Sequence, residues 1–450
     1  GDPKKAIRNL SIPIFFSLMA SGALNITDMI WVSGLGPKAL SAVGFFVPLY
    51  MIASALASGI GVGGGTCISQ RIGAKDKTGA DQFAVHMFVV LVIISILTFI
   101  ALFLLAKPLF LFMGADKSID QALSYSRIMT PALIFLLFTE GAYAIFRSEG
   151  NAKLVMIISF IGVLINMVLD PIFIFWLGLG VGGAAWASLV ALFIAAAICY
   201  FWLFIKKNTY IEIKLKGFNL KKSSIGKILH LGIPVSISQV LMAVMIFVTI
   251  KIIAQVSGEN GVAVYSTGLR YMHFLVLPLI GISSSVVTVV GAAYGAQNKE
   301  KMLVAFNYAL KIGMIVSGIM LALTFLAAPL ITRMFTWSEG GNILTDDLIL
   351  FLRVVFWGHP PLAIAMTAGS LFIGVGKSMN ALMLEVFRNI ILTIPFILIL
   401  GMLFDYGLSG IWTGIVLANV VSAVFAYFWV KQFLSIPGNL RMHTKKLIIE

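Results

Sequence analysis

Apolar runs separated by short polar connections recur along the whole chain. Many of these runs hold about 20 residues or more, which is the length that an α-helix needs to cross the hydrocarbon core of a bilayer. Their even spread leaves no room for a sizeable aqueous domain, so the pattern predicts an all-α polytopic membrane protein. We predict twelve transmembrane spans, at about residues 9–32, 39–66, 81–105, 125–146, 154–178, 183–205, 229–256, 262–292, 303–329, 347–374, 379–404 and 408–433.

The composition agrees with this prediction. Of 450 residues, 60% are hydrophobic and 11% are charged, and the mean hydropathy is +1.02. Cys67 and Cys199 lie in or at the end of apolar segments, which gives neither a disulfide framework nor the spacing of metal ligands. The chain opens with polar residues and enters the first span directly, so no cleavable signal peptide is predicted.

The net charge of +14 would suit a nucleic-acid partner, but the placement of the charges favours a topology signal instead. Lys and Arg concentrate on alternate connections, which is the positive-inside pattern of membrane proteins. We therefore predict a cell-membrane protein with both termini and the basic connection 206–228 in the cytoplasm, and no nucleic-acid partner. The opposite side holds little beyond Lys38, Lys107, Lys117, Arg127 and Arg333.

Landmarks recur in the same order in the two halves of the chain. Any single match is weak, but four in register indicate a duplication. The paired segments are 10–13 with 231–234, 72–77 with 294–299, 146–150 with 372–376, and 180–186 with 407–412.

Each copy holds six predicted spans, and an even number gives both copies the same orientation in the membrane. We expect two pseudo-symmetric six-helix lobes, related by an axis along the membrane normal, with a central cavity between them. The predicted division is an N-lobe at 1–205, a cytoplasmic basic linker at 206–228, and a C-lobe at 229–450.

Two aspartates interrupt spans that are otherwise apolar, Asp28 in the first span and Asp170 in the fifth. A carboxylate in hydrocarbon costs roughly 2.5 kcal/mol or more, so such residues mark cavities, pairs or ion sites. Asn25 stands three residues before Asp28 and Asn166 four before Asp170, which puts amide and acid on one face of each helix. The predicted topology places these four residues and Ser188 in the outer half of the N-lobe. The sequence therefore predicts one oxygen-rich site there.

Three interpretations of this site are open at the level of sequence. Two carboxyl groups placed together in a low dielectric hold a proton near neutral pH. Alternatively, the oxygens of Asp28, Asn166, Asp170 and Ser188 coordinate a monovalent cation such as Na⁺. In the third interpretation the cluster is a hydrogen-bonded network that only fixes the register of the helices. No other cofactor is predicted.

Two prolines inside spans are candidate bend points. Pro171 directly follows Asp170 and leaves the carbonyl of Met167 without its helical donor. Pro13 weakens the first span in the same way, as Pro234 weakens the seventh.

Other polar residues within the spans carry weaker predictions. Glu140 of the fourth span either faces the cavity or pairs with a basic neighbour. Glu385 and Arg388 are three residues apart and are predicted to form an ion pair. His359, which two prolines follow, indicates a broken tenth span rather than a metal site. Tyr143, Gln239 and Arg270 are further candidates for lining a cavity, Arg270 in the C-lobe.

Three stretches resemble the multidrug and toxic compound extrusion (MATE) transporters, above all their DinF-type prokaryotic and archaeal branch. The stretches are residues 28–36, 147–153 and 166–171, and their order in the chain makes the resemblance strong. Gln239 and residues 258–264 agree with the same family. The resemblance covers essentially the entire chain.

That resemblance implies a V-shaped pair of lobes that exports organic cations and amphipathic compounds in exchange for H⁺ or Na⁺. It implies a transporter and not an enzyme. A self-contained cavity of twelve spans makes a monomer sufficient. It also implies that the two aspartates, with Asn166 and Ser188, form the coupling-ion site, and that the first helix bends at Pro13. Glu140 and Tyr143 stand where the family pattern has Asn, so the network around them is expected to differ.

Other functions are less well supported by the residues. Flipping of a lipid-linked oligosaccharide precursor is the nearest alternative, and such flippases often have added spans and basic cavity residues. An intramembrane aspartyl protease also uses two membrane aspartates, but Thr27-Asp28 and Leu169-Asp170 lack the sequence context of that class. A passive channel would need no duplication around a closed acid site.

Overall fold

All regular structure in the described part of the chain is helical, as the apolar pattern predicts. The structure is a computed structural model that describes residues 2–115, 117–206, 208–213, 219–335 and 344–436, so part of the linker and the end of the predicted C-lobe lie outside it. The helices are α1 Pro3–Ser33, α2 Pro37–Gly73, α3 Lys77–Phe112, α4 Ile119–Ser148, α5 Ala152–Pro171, α6 Gly180–Tyr200, α7 Lys222–Gly295, α8 Lys299–Phe335, α9 Thr345–Val355, α10 His359–Gly374, α11 Ser378–Val386, α12 Ile394–Leu398 and α13 Gly407–Ser435.

Eleven helical segments of the described residues are long and apolar enough to cross a membrane. One of them, α7, has 74 residues and is interrupted at Gly258, whose φ of 62° and ψ of −152° are not helical. A positive φ suits glycine because it has no Cβ. The predicted seventh and eighth spans lie on either side of this residue, so the break falls in the connection that the sequence predicts between them.

The predicted break in the tenth span is confirmed. A 3₁₀ turn at Phe356–Gly358 separates α9 from α10, directly before Pro360 and Pro361. Neither proline has an N–H, so an uninterrupted α-helical ladder cannot run through this point. Wider π-helical turns at Phe387–Thr393 and Ile399–Leu403 likewise interrupt the predicted eleventh span.

Contacts divide the chain into two compact units, and their borders fall inside helices. The first unit runs from Pro13 to Ser236, and the second holds the residues before Pro13 together with those from Ile237 onward. The opening turns of α1 therefore pack with the second half of the chain, while the opening turns of α7 pack with the first half. The predicted lobes follow the duplicated sequence, and their division at the linker stays a prediction.

Each unit has a helix that its neighbours surround. In the first unit α4 packs against α2, α3 and α6, and its apolar window is the most buried of all the spans. In the second unit α10 packs against α8 and α13. Elsewhere in that unit the rings of Tyr265, Phe351 and Trp412, from α7, α9 and α13, pack together with centroids 4.8–6.3 Å apart. In the first unit, the packing around α4 holds in place helices that carry polar residues of the predicted site, such as α6 with Ser188.

Glycines let the start of α7 approach α2 closely within the first unit. A Cβ on Gly63 would lie 2.6 Å from the Ile228 carbonyl oxygen and 2.8 Å from the Gly232 nitrogen. One turn away, the Ser236 hydroxyl donates to the Ala55 carbonyl over 2.9 Å. Small residues allow two helix backbones to meet in this way, so the glycine-rich stretch of α2 is a packing surface.

We expect Gly63→Ala to destabilise the protein by about 1–3 kcal/mol, because the new methyl group meets backbone atoms that cannot move aside alone. Thermal unfolding in detergent micelles measures the effect. Gly44→Ala on the same helix is the matched control, since nothing lies within 4 Å of its added Cβ. Equal stability of the two variants would contradict the close packing.

The described part of the linker is fastened to one end of the first unit by its backbone. Three N–H groups of the linker donate to side chains of α3 and of the residue that follows α4. They are Ile211 N–H to Glu149 Oε1 (2.7 Å), Glu212 N–H to Asp81 Oδ1 (2.9 Å) and Lys221 N–H to His86 Nε2 (2.9 Å). The segment therefore lies in a defined position and is not a free tether.

Burial raises the pKa of Glu149 to about 7, although the backbone N–H bonds that it accepts act in the opposite direction. An acid with a raised pKa in the folded protein contributes stability that is present at low pH and lost as the pH rises through the folded pKa. Relative to Glu149→Gln, the native protein should lose up to about 3 kcal/mol between pH 4.5 and 7 and change little above pH 8.

Unfolding of both proteins across this pH range measures that difference. The exposed Glu300→Gln is the control, and its difference from the native protein should stay flat over the same range. A flat curve for Glu149→Gln would show that this carboxyl group is not desolvated.

Candidate functional site

The two aspartates and two of their predicted companions meet in the first unit. Asp28 lies on α1, Asn166 and Asp170 lie one turn apart on α5, and Ser188 lies on α6, which packs against α5. Asn166 and Asp170 are each only 1% exposed, although both are polar. The structure therefore brings polar residues from three helices together at one point.

The amide of Asn166 links the two acids, and its neighbours determine which way it points. With the nitrogen toward the acids, Nδ2 donates to Asp28 Oδ1 over 2.8 Å and to Asp170 Oδ2 over 3.1 Å. The amide oxygen then accepts the Ser188 backbone N–H and the Ser188 hydroxyl, both at 3.1 Å. The opposite orientation would aim one oxygen at two carboxyl groups and one nitrogen at another N–H. The hydrogen-bond pattern therefore favours the first orientation.

The two carboxyl groups lie close together, because both accept from the same Asn166 nitrogen. Two neighbouring carboxyl groups in a low dielectric favour a state in which one of them carries a proton. None of the ion pairs in the described residues involves Asp28 or Asp170, and Asp170 Oδ1 is buried without a hydrogen-bond partner. A pair with one shared proton carries a single negative charge and is far less costly in this environment than two adjacent charges.

The amide orientation also limits the oxygens that a cation would meet. The oxygen of Asn166 faces Ser188, and its nitrogen occupies the side that faces both acids. Cations need oxygen ligands directed at them, so this arrangement offers a cation fewer oxygens than the sequence suggests. In the described residues, His, Cys, Asp and Glu form no group of three that would hold a metal ion.

Two tyrosines near the site were not predicted from the sequence. Tyr50 of α2 interacts electrostatically with Asp28, and Tyr125 of α4 interacts with both acids. Tyr125 is 8% exposed and packs its ring edge against Phe46 at 5.5 Å. The sequence does not indicate which residue the hydroxyl of a tyrosine in an apolar helix approaches. The positions of these two tyrosines near the acids therefore follow only from the packing of α2 and α4.

Asn25 does not join the cluster in the structure. It is exposed on α1, and no hydrogen bond of its side chain occurs among the described residues. The prolines of the prediction lie inside helices. Pro13 stands in a continuous α1 at the border of the two units, and Pro171 ends α5 where a π-helical turn, Ile172–Trp176, begins. Bending at either proline stays a prediction.

The remaining candidates lie away from the acids. The sequence leaves open whether Glu140 faces a cavity or pairs with a basic residue. In the structure it pairs with Arg147, whose Nη2 lies 3.8 Å from Glu140 Oε2. Tyr143 lies on the same helix, and its hydroxyl accepts from Ser159, which also bonds Ser17 of α1 at 2.7 Å. Gln239 and Arg270 are exposed residues of the second unit. They do not contribute to the acid cluster.

The ion pair predicted on the eleventh span is confirmed. Arg388 Nη2 lies 2.5 Å from Glu385 Oε2, and Asn389 Nδ2 donates to the same oxygen over 3.0 Å. Both charges are neutralised locally, so this pair stabilises its helix and leaves no free charge there.

Removing the Ser188 hydroxyl should loosen the amide that links the acids. We expect Ser188→Ala to cost about 1 kcal/mol of unfolding free energy, because the Asn166 oxygen loses one of its two donors. Ser188→Thr keeps the hydroxyl and should stay within about 0.5 kcal/mol of the native protein. Unfolding in detergent measures both variants, and equal losses would show that the hydroxyl does not hold the amide.

Comparison with known proteins gives consistent matches along the chain. The MatE family model matches residues 13–172 and 234–399. A FAD transporter of Shewanella oneidensis is 24% identical over 438 residues, which is 95% of this chain and 94% of that protein. The multidrug export protein MepA of Staphylococcus haemolyticus is 26% identical over 443 residues, at 95% and 93% coverage.

Solved structures match as well. The outward-facing conformation of a multidrug resistance MATE family transporter of the MOP superfamily superposes with a TM-score of 0.93 at 36% identity, covering 97% of each chain. The two family-model segments begin at Pro13 and Pro234, which are equivalent residues of the duplicated landmarks.

Proposed function

Because the chain belongs to the MATE family of multidrug efflux transporters, we propose that it exports organic cations and amphipathic compounds by proton-coupled antiport. The family and the relatives named above are transporters and not enzymes. The protein is therefore a multi-pass membrane transporter, and what we add is the coupling ion, the direction and the residues. The observation that supports the proposal is the pair of carboxyl groups, Asp28 and Asp170, that the Asn166 amide links inside the first unit.

The polar contacts of the site favour a proton over Na⁺ as the coupling ion. The Asn166 nitrogen donates to both acids, which satisfies oxygens that a cation would otherwise bind. A proton needs no coordination sphere and fits between two carboxyl groups in contact. Asp170 Oδ1, which lacks a partner, offers a further acceptor within the same site.

Protonation can control α1 through simple electrostatics. Asp28 belongs to α1 and Asp170 to α5, so loss of the shared proton places two negative charges side by side on different helices. In a low dielectric their repulsion is much stronger than in water. The charged state therefore favours separation of α1 from α5, and the protonated state favours their contact. A ligand that prefers one of these states is coupled to the proton.

Proteoliposomes provide the direct test of coupling. A fluorescent organic cation should be transported when a pH gradient is imposed, and Asp28→Asn or Asp170→Asn should lower the initial rate at least about tenfold, because a single remaining carboxyl group no longer shares a proton with a second one. Asp120→Asn, an exposed acid at the start of α4, is the matched control and should transport at the native rate.

A Na⁺ gradient imposed at constant pH separates the two coupling ions. The proposal expects no transport under this gradient alone. Transport driven by Na⁺ and abolished in Asp28→Asn would assign the same site to Na⁺. Transport that ignores both gradients would contradict antiport altogether.

A further inference from the structure

Two cations of the first unit meet over a single aromatic ring, away from the acid pair. The guanidinium carbon of Arg71 and the ammonium nitrogen of Lys227 each lie 5.7 Å from the ring centroid of Phe83. The three residues come from three helices: Arg71 from the end of α2, Phe83 from α3 and Lys227 from the start of α7. Phe83 is 4% exposed, so the packing around it holds its ring in place.

The acid nearest to these cations neutralises only one of them. Arg71 Nη1 bonds Asp76 Oδ2 at 2.7 Å, and Asp76 Oδ1 accepts the Gly79 N–H at 2.8 Å as the N-terminal cap of α3. Both carboxylate oxygens of Asp76 are therefore in use. No ion pair involving Lys227 occurs in the described part of the chain, so one positive charge is left over.

The same place holds an unused hydrogen-bond donor. The Nε–H of Arg71 is buried and has no acceptor, and the side chain of Arg71 is only 16% exposed. A buried donor without a partner is costly, more so when it belongs to a charged group. An oxyanion with several acceptor atoms would satisfy both features. Its charge would balance the surplus positive charge, and one of its oxygens would accept from the unpaired N–H donor.

From these observations we infer that Arg71 and Lys227, over the ring of Phe83, bind the phosphate of an anionic phospholipid headgroup. The phosphate oxygens would accept from the Lys227 ammonium group and from the Arg71 guanidinium, which would turn its Nε–H toward the ligand, and one negative charge would balance the surplus. Phe83 keeps the two cations in place, since cations favour the face of an aromatic ring. The acid pair and the proposed coupling take no part in this site.

The position of the site favours a lipid over a phosphate ion from solution. Arg71 lies two residues before the end of a spanning helix, and Lys227 lies in the second turn of another. We expect lipid headgroups at the ends of such helices. Next to the start of α7, Lys221 and Lys222 are exposed beside Leu220, which is 56% exposed. Basic and apolar side chains exposed together are typical of a surface that meets the membrane interface.

Binding of short-chain phosphatidylglycerol to the purified full chain in neutral detergent tests the inference by native mass spectrometry or calorimetry. Lys227→Gln should weaken binding about fivefold, the effect of one basic residue at an anionic surface. Arg71→Lys keeps the charge but loses the Nε donor and should also weaken binding, whereas Lys227→Arg should retain it. Thermal unfolding of each variant checks that it is folded.

Lys222→Gln is the matched control, because it removes one exposed lysine from the same helix and leaves the ring contact intact. It should bind the lipid within about twofold of the native protein. An equal loss in Lys222→Gln and Lys227→Gln would mean diffuse attraction to the basic surface and would overturn the site.

Two further ligands separate the sources of the phosphate. Short-chain phosphatidylcholine, which has no net charge, should bind more weakly than phosphatidylglycerol and should be insensitive to Lys227→Gln. Inorganic phosphate should compete only at much higher concentration. If inorganic phosphate alone occupies the site with the affinity of the lipid, the ligand is a free anion and the lipid assignment is wrong.

Discussion

The amide of Asn166 is the contact on which the polar interior of the first unit depends. It donates to an acid on α1 and to an acid on its own helix, and it accepts from the backbone and side chain of Ser188 on α6. Three helices are thereby joined at one buried point. Without this amide, Asp28 and Asp170 would lose the donor that they have in common. The pairing of the two acids and the contact of α1 with α5 therefore depend on the same few atoms.

Much of this site could be predicted from sequence, because helix geometry is regular. Asn166 precedes Asp170 by four residues, an offset of about 40° around the helix, and the two share a face. Asn25 precedes Asp28 by three, an offset of about 60° in the opposite sense, and its side chain is exposed. Spacing alone does not distinguish these cases. The orientation of the amide and the approach of Tyr125 depend on packing between helices, which periodicity does not encode.

The interruptions of the spans also differ in how far the sequence predicts them. The sequence predicts the break at His359 because two prolines follow it, and it predicts a connection near Gly258 because the apolar run exceeds one membrane crossing. The π-helical turns after Asp170 and within the eleventh span carry no comparable signal. A π turn inserts one residue into a helix that otherwise continues, so the pattern of apolar residues hardly changes. Its cause lies in the neighbours against which that turn packs.

The borders of the two compact units bear on the assembly of the polypeptide. Residues before Pro13 belong to the first copy of the repeat in sequence but pack in the second unit. Conversely, the stretch from Lys222 to Ser236 belongs with the second copy in sequence but packs in the first unit. Cutting the chain within the linker would give two fragments, each holding a segment whose packing partners lie in the other. Such fragments would be complementary, as two subunits of a heterodimer are. The duplicated sequence unit and the compact structural unit therefore have different boundaries.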